Sequence, residues 1–139
     1  MKEEILTYLN THSRNKVVFH SAPINELKSQ NVGVLLAESI KGIIDDSRLS
    51  LKVSILIDEI LTSCKESHPA FGEIIAIENV GILFETDLKQ DFANLIRKYS
   101  DTYTLFIHWQ GIIEKDHAYF LTKESGKKID IKNLSHIAI

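Results

Sequence analysis

The sequence predicts an α/β domain in which helices cover both faces of a mostly parallel sheet, with a β-hairpin towards the carboxyl terminus. Short, strongly apolar segments of strand character alternate with amphipathic segments of helical spacing. Strands of parallel sheets form continuous apolar runs because both of their faces are buried. The alternation of such strands with helices therefore favours a parallel sheet between two helical layers.

The composition fits one globular domain over residues 1–139. Hydrophobic residues make up 44% and charged residues 25%, which argues against disorder. The net charge of −3 gives no electrostatic reason to expect general nucleic-acid binding. A single cysteine, Cys64, excludes an intramolecular disulfide and a cysteine-built metal site. Since no apolar run reaches the roughly 20 residues of a membrane helix and the charged amino terminus is no signal peptide, we expect a cytoplasmic protein.

The first half of the chain is predicted to contain a short lead helix over 4–10 and a first strand over Lys16–His20. The apolar run 32–36 is a second candidate strand, which passes into a helix. Ser50 is a favourable N-cap for the next helix, whose apolar residues recur at helical spacing. This stripe consists of Val53, Leu56, Ile57, Ile60, Leu61 and Cys64.

The second half is predicted to contain a third strand over 73–78 and a fourth over 102–109. Between them, Asp87 and Gln90 resemble a capping box that opens a helix over 87–99. The stretch AYFLTKESGKKIDI resembles a hairpin in which Gly126 is able to take the positive-φ position of the turn. The final residues, HIAI, read as a last strand.

Functional residues are expected where the strands end, because sites in parallel sheets lie at the carboxyl ends of their strands. The first strand ends in His20-Ser21 and the third in Glu78-Asn79, as the acidic strand of a nucleotide-hydrolysing P-loop domain does. In such domains the acid holds Mg²⁺ and a neighbour orients the attacking water. The fourth strand ends in His108, where an ATPase keeps a polar sensor residue. The structural alternative is that Glu78 caps a turn and His108 packs at the sheet rim.

The first strand does not lead into a recognisable phosphate-binding loop. A P-loop needs the pattern G-x-x-x-x-G-K-[ST], because its backbone N–H groups must wrap closely around the phosphates. Here no glycine precedes Gly33, although Lys28-Ser29 copies the last two letters of the pattern. Ser21, Lys28 and Ser29 are the candidate phosphate contacts if the chain binds ATP and Mg²⁺. An ordinary loop is the favoured interpretation.

Two further acidic groups carry weaker hypotheses. Glu85, Asp87 and Lys89 form a loose nuclease-like E-x-D-x-K string, but they lie at a predicted helix start rather than on paired strands. Asp58 and Glu59 lie beside the apolar stripe of a helix, where a solvated face is favoured over a metal site. Nucleic-acid binding is therefore the third and least favoured class of function, and no metal site is assigned.

Residues 74–111 resemble the BrxF family, the small P-loop proteins of BREX bacteriophage-resistance loci. Members of that family have an apolar strand ending in an acid and Asn, then ILF, LKQDP, a Leu-rich helix, LSRNRT, a second apolar strand and W-x-G. The corresponding stretches here are Glu78-Asn79, ILF at 82–84, LKQD at 88–91, the segment 95–100 and WQG at 109–111. The resemblance implies a P-loop fold and a role in an antiphage defence complex.

The resemblance does not extend to ATP binding at the first loop. In the family the first strand leads into a glycine-rich loop ending Gly-Lys-Thr or similar, whereas this chain has SAPINE at 21–26. Phe92 also replaces the family's Pro, and Asp101-Thr102 departs from its Asn-Arg-Thr. The leading hypothesis is a degenerate, non-catalytic P-loop subunit that contacts other defence proteins, with self-association as a further option. The alternative is a weak nucleotide-binding ATPase or regulatory switch of the same complex.

The resemblance also predicts an order of strands. In P-loop sheets of the inserted-strand type, the strand at 103–109 lies between those at 16–20 and 73–78. All three should be buried on both faces, beneath helices such as 51–65 and 87–99. His108 would then lie between Ser21 and Glu78 at one rim, the cleft where a ligand is expected.

Overall fold

The computed structural model, which describes residues 2–124 and 126–139, confirms an α/β fold with a mostly parallel sheet and a carboxyl-terminal hairpin. The strands are β1 (Lys16–His20), β2 (Gln30–Asn31), β3 (Lys65–His68), β4 (Gly72–Glu78), β5 (Thr104–His108), β6 (Gly111–Ile113), β7 (His117–Phe120), β8 (Lys128–Asp130) and β9 (Ile137–Ala138). The helices are α1 (Lys2–Leu9), α2 (Val32–Ile40), α3 (Leu49–Ser63) and α4 (Phe92–Ser100). In the described part of the chain, no helix has the length and apolar character needed to cross a bilayer.

The main sheet has the order β2-β4-β5-β1-β9, and β3 pairs antiparallel with β4. The inserted-strand prediction is confirmed, because β5 pairs with β1 on one side and with β4 on the other. The predicted last strand is also confirmed as β9, which pairs parallel with β1. The apolar runs of the three central strands are buried, as both faces of the sheet are covered.

Helices cover both faces of the sheet, as predicted, but unequally. Helices α2, α3 and α4 all pack on one face, in a single apolar cluster. The second face is covered by α1 together with Ile24 and Phe71, which lie in connecting segments. The two helices expected over 51–65 and 87–99 therefore lie on the same face of the sheet. An apolar stripe identifies the buried side of a helix, but it does not select the face of the sheet on which that helix packs.

The predicted second strand over 32–36 is wrong, because this run forms the first turns of α2. The side chain of Asn31 accepts a hydrogen bond from the Val34 backbone N–H at 3.0 Å and so caps the helix. Val32, Leu36 and Ile40 recur at four-residue spacing and are buried. Periodicity alone does not distinguish a strand from a buried helix in a short apolar run. The extended residues at this place are the two of β2, which directly precede the run.

Two predicted helix starts are also corrected. The N-cap of α3 is Arg48 rather than Ser50, and the Arg48 backbone N–H donates to the Asp46 carboxylate at 2.7 Å. The N-cap of α4 is Asp91 rather than Asp87, and its carboxylate accepts from the Asn94 backbone N–H at 3.1 Å. Asp87 instead lies in a short 3-10 turn, so the segment before Phe92 is not α-helical.

The carboxyl-terminal hairpin of β7 and β8 is confirmed, and β6 adds a third antiparallel strand that the sequence did not indicate. Ser125, in the hairpin loop, lies outside the described residues. Gly126 is required there for space, because a Cβ atom would lie 1.6 Å from the Phe120 carbonyl oxygen. The small sheet packs onto the same apolar cluster as α4.

Candidate functional site

Three polar side chains form a row across the carboxyl edge of the main sheet. His20, His108 and Glu78 end the adjacent strands β1, β5 and β4. His20 and His108 are partners in the parallel register. Because Ile77 pairs with Ile107, Glu78 follows at the level of His108. Strand alternation places all three side chains on the face that α1 covers, so the sequence-predicted residues Glu78 and His108 do lie together.

His20, which the sequence places at a strand end without assigning it a role, is the buried end of this row. Its ring stacks on that of His108, with centroids 5.1 Å apart and planes inclined by 10°. The Nδ1–H of His20 donates to the Ala22 carbonyl at 2.8 Å, and the Nε2–H of His108 donates to the Ser21 carbonyl at 3.2 Å. His20 Nε2 is buried and has no hydrogen-bond partner among the residues described. The two histidines therefore hold the backbone that follows β1, and the lone pair of His20 Nε2 accepts no hydrogen bond from the described residues.

The environment of His20 favours its neutral form. The ring is only 2% exposed, and burial lowers its pKa below the ordinary value of 6.5. The hydrogen bond to the Ala22 carbonyl acts to raise the pKa, the neighbouring His108 acts to lower it, and the Glu78 carboxylate acts to raise it. The resulting pKa is lowered, so the ring is neutral at pH 7.

We expect His20 to make the stability of the fold decrease in mild acid. Its pKa is lower in the folded than in the unfolded chain, so below pH 6.5 the unfolded chain binds more protons. The stability that depends on neutral His20 is fully present above the pKa of this residue in the unfolded chain. It is lost as the pH falls towards the pKa of His20 in the folded chain, by about 1.4 kcal/mol per unit of difference between the two pKa values. Urea unfolding between about pH 5 and pH 8 measures this slope.

The matched variants for that measurement are His20→Gln and His12→Gln. His20→Gln removes the titrating ring and should flatten the pH dependence of the unfolding free energy. His12 is exposed, so His12→Gln should leave the slope unchanged. An unchanged slope in His20→Gln would assign the acid sensitivity to another group.

Asn79, a predicted site residue, is used in a structural contact. It adopts a left-handed conformation with φ of 58°, and its side-chain amide donates to the Asn31 side chain at 2.8 Å. Gly33 passes so close that a Cβ atom there would lie 2.4 Å from the Asn79 amide nitrogen. Asn79 therefore ties the end of β4 to the start of α2. The neighbouring Glu78 carboxylate forms neither a hydrogen bond nor an ion pair with any described residue.

The segment 21–29 contains no helix and folds back over the face that α1 covers. Ile24 is buried there in the apolar cluster. The Glu26 carbonyl accepts from His68 Nε2 at 3.2 Å, and the Glu26 carboxylate lies 4.0 Å from the Lys2 amine. The other ring nitrogen of His68 accepts from the backbone N–H of Ala70 at 3.0 Å. The loop after β1 is thus held against the sheet.

The three candidate phosphate contacts are separated in the structure. Ser21 lies at the rim, where its carbonyl meets His108. Lys28 and Ser29 immediately precede β2, which pairs with the outer edge of β4. Two strands, β4 and β5, separate that edge from the end of β1. The first helix after β1 is α2, so in the described chain no helix begins directly after β1 where a P-loop would bind phosphate.

Two cavities are relevant to ligand binding. One of about 210 Å³ lies at the rim beside β1 and β9 and is lined by His20, Ser21 and Trp109 among others. A larger one of about 490 Å³ lies between the 3-10 segment before α4 and β8, where lysines and carboxylates are mixed. The smaller cavity includes Ser21, but neither His108 nor Glu78 lines it, so it is not the cleft expected between Ser21 and Glu78. Within residues 2–124 and 126–139, no group of three or more His, Cys, Asp or Glu is arranged to hold a metal ion.

The fold and rim define an α/β domain whose mostly parallel sheet has the predicted inserted-strand order and whose first loop folds back over one face of that sheet. No protein-family model matches the chain, and no curated protein or solved structure resembles it significantly. Its functional assignment therefore depends on the resemblance at 74–111 and on the geometry of the rim.

Proposed function

We propose that this protein is a non-catalytic, P-loop-like component of a bacterial antiphage defence complex of the BREX kind, acting in the cytoplasm through contacts with other proteins of that system. The resemblance of residues 74–111 to the BrxF family motivates the defence role. The observation that carries the non-catalytic role is the segment 21–29, which covers the sheet instead of forming a helix-capped phosphate loop. Contact with nucleic acid would be indirect, through partner proteins.

Several features of that segment disfavour a triphosphate. Phosphate loops bind through consecutive backbone N–H groups at a helix N-terminus, which this segment lacks. Ile24 is buried, so releasing the loop to form such a turn would expose apolar surface. Glu26 would add negative charge near the phosphates. The chain has the strand that ends in Glu78 but lacks the phosphate-binding loop. This combination supports a subunit that acts through surface contacts with other proteins.

The runner-up function is a weak nucleotide-binding ATPase or regulatory switch of the same complex. The observation in its favour is the Glu78 carboxylate, which lies beside His108 at the rim and is hydrogen-bonded to none of the residues that the structure describes. In this alternative, Glu78 would hold Mg²⁺ and Lys28 would contact phosphate. It requires Lys28 and Ser29 to move from the β2 edge towards Ser21.

Calorimetric titration with ATP and Mg²⁺ separates the two functions. We expect no binding and no turnover above background, with Glu78→Gln indistinguishable from the unmodified protein. Micromolar binding together with turnover that Glu78→Gln abolishes would establish the ATPase instead.

The complex itself is tested by co-expression with the proteins encoded beside its gene. A stoichiometric complex is expected, and failure to bind any of them would contradict the defence-subunit role.

A further inference from the structure

An exposed apolar surface lies along α2 and α3, on the side of these helices that faces away from the sheet. Among the described residues, five of the seven large exposed apolar side chains lie on α2, on α3 or in the connection between them: Val34, Leu35, Ile44, Leu51 and Ile55. Leu51 is 59% and Ile55 is 53% exposed. Ile55 also lines a groove of about 240 Å³ with Ser39, Ile43, Lys52 and Leu56. We call this groove and the exposed side of α3 the α3 surface.

Charges of opposite sign are separated along α3. Arg48 and Lys52 lie at its amino-terminal end, and Asp58 and Glu59 lie in its second half. Cations in the first turn of a helix are unfavourable for the isolated helix, whereas Asp58 and Glu59 lie before the last turn, where the macrodipole has little effect. Lys52 is paired with Asp46, and Asp58 with Lys98, but the Glu59 carboxylate forms no ion pair in the described part of the chain.

We propose that two copies of this chain associate through the α3 surface, with their α3 helices antiparallel about a twofold axis at Ile55. A twofold contact buries the same patch on both copies, so Ile55 meets Ile55 of the second copy and the apolar grooves close on each other. Along the helix, Lys52 lies about 4.5 Å before the axis and Glu59 about 6 Å after it, and both lie on the same side of Ile55. Lys52 of each copy therefore lies close to Glu59 of the other, and the attraction occurs twice.

The charge pattern selects a second copy as the occupant. An antiparallel helix of the same sequence places its acidic half against the basic half of the first, and it also opposes the two macrodipoles. The unfavourable placement of cations at the start of the single helix is thereby offset. The α3 surface belongs to the helical layer opposite the face that carries His20, His108 and Glu78. Dimerisation through the α3 surface is therefore independent of the proposed function, and disproof of that function would not affect it.

Sedimentation equilibrium of the full chain tests the association. We expect a reversible monomer–dimer equilibrium that Ile55→Asp abolishes. Ile112→Asp, which makes the same change at an exposed position of the small sheet, should leave the dimer intact. A protein that stays monomeric at every concentration up to its solubility limit, or a dimer insensitive to Ile55→Asp, would overturn the proposal. So would an assembly larger than a dimer.

Charge reversal tests the register. Lys52→Glu and Glu59→Lys should each weaken self-association by about tenfold or more, because each places like charges against each other twice. An equimolar mixture of the two variants should form a heterodimer, since both contacts across its axis again join opposite charges. Glu3→Lys, on α1, is the matched control and should dimerise normally. If the mixture is no better associated than the separate variants, the antiparallel pairing is wrong.

Discussion

Replacing Ile75 with aspartate is expected to abolish folding. Ile75 lies in β4, has no exposed surface, and pairs with Leu105 in the centre of the sheet. A carboxylate there would be buried without a partner, at a cost of several kcal/mol, in a domain stabilised by about 5–15 kcal/mol in total. Circular dichroism and urea titration of Ile75→Asp should show no cooperative unfolding transition.

Two variants make that expectation specific to burial. Ile112→Asp makes the same chemical change where the side chain is 41% exposed, and it should alter the unfolding free energy by less than about 1 kcal/mol. Ile75→Val should stay folded and lose about 0.5–1.5 kcal/mol, as expected for one buried methylene. If Ile75→Asp unfolds cooperatively, with an unfolding free energy within about 2 kcal/mol of that of the unmodified protein, the assignment of β4 to the core is wrong.

Trp109→Ala is expected to loosen the small carboxyl-terminal sheet from the main sheet. Trp109 is buried immediately after β5, and its indole N–H donates to the Tyr119 carbonyl in β7 at 3.2 Å. Its ring centroid lies 5.6 Å from that of Phe19, 5.9 Å from that of Phe92 and 5.7 Å from that of Phe120. Removing the indole should lower the unfolding free energy by about 3–5 kcal/mol.

Hydrogen exchange locates that loss. In Trp109→Ala, amides of β6, β7 and β8 should exchange faster than those of β1, β4 and β5, because the small sheet loses the hydrogen bond and ring contacts of Trp109 that join it to the core. Trp109→Phe keeps an aromatic ring but not the hydrogen bond to Tyr119, so its loss of stability should be smaller. Uniform acceleration across both sheets would show that the small sheet does not unfold as a separate unit.

The candidate site could be predicted in part. Glu78 and His108 follow apolar runs directly, so the rule that sites lie at the ends of parallel strands was sufficient to find them. His20 has the same kind of position, but a histidine ending a strand is also compatible with simple packing. Its significance depends on the register of β1 with β5 and on the stack with His108. Both are long-range features that no local pattern specifies.

The loop after β1 shows the opposite case. The absence of glycines before Gly33 was sufficient to predict that no phosphate-binding turn forms. Where the loop goes instead depends on contacts with distant residues, above all burial of Ile24 and the hydrogen bond from His68 to the Glu26 carbonyl. The separation of Lys28 and Ser29 from Ser21 follows from that path.

The sequence by itself determined the three central strands, the stripe of α3, and the hairpin near the carboxyl terminus. These features depend on local apolar runs and periodicity, which are present in the chain before it folds. Only the tertiary structure decided that 32–36 is helical, that Asp91 rather than Asp87 caps α4, and that α3 and α4 share one face of the sheet. The helical state of 32–36 and the shared face depend on burial between distant segments, which outweighs local propensities of a few tenths of a kcal/mol. The cap of α4 is a local hydrogen bond, but two aspartates four residues apart compete for it, and the sequence pattern favoured the wrong one.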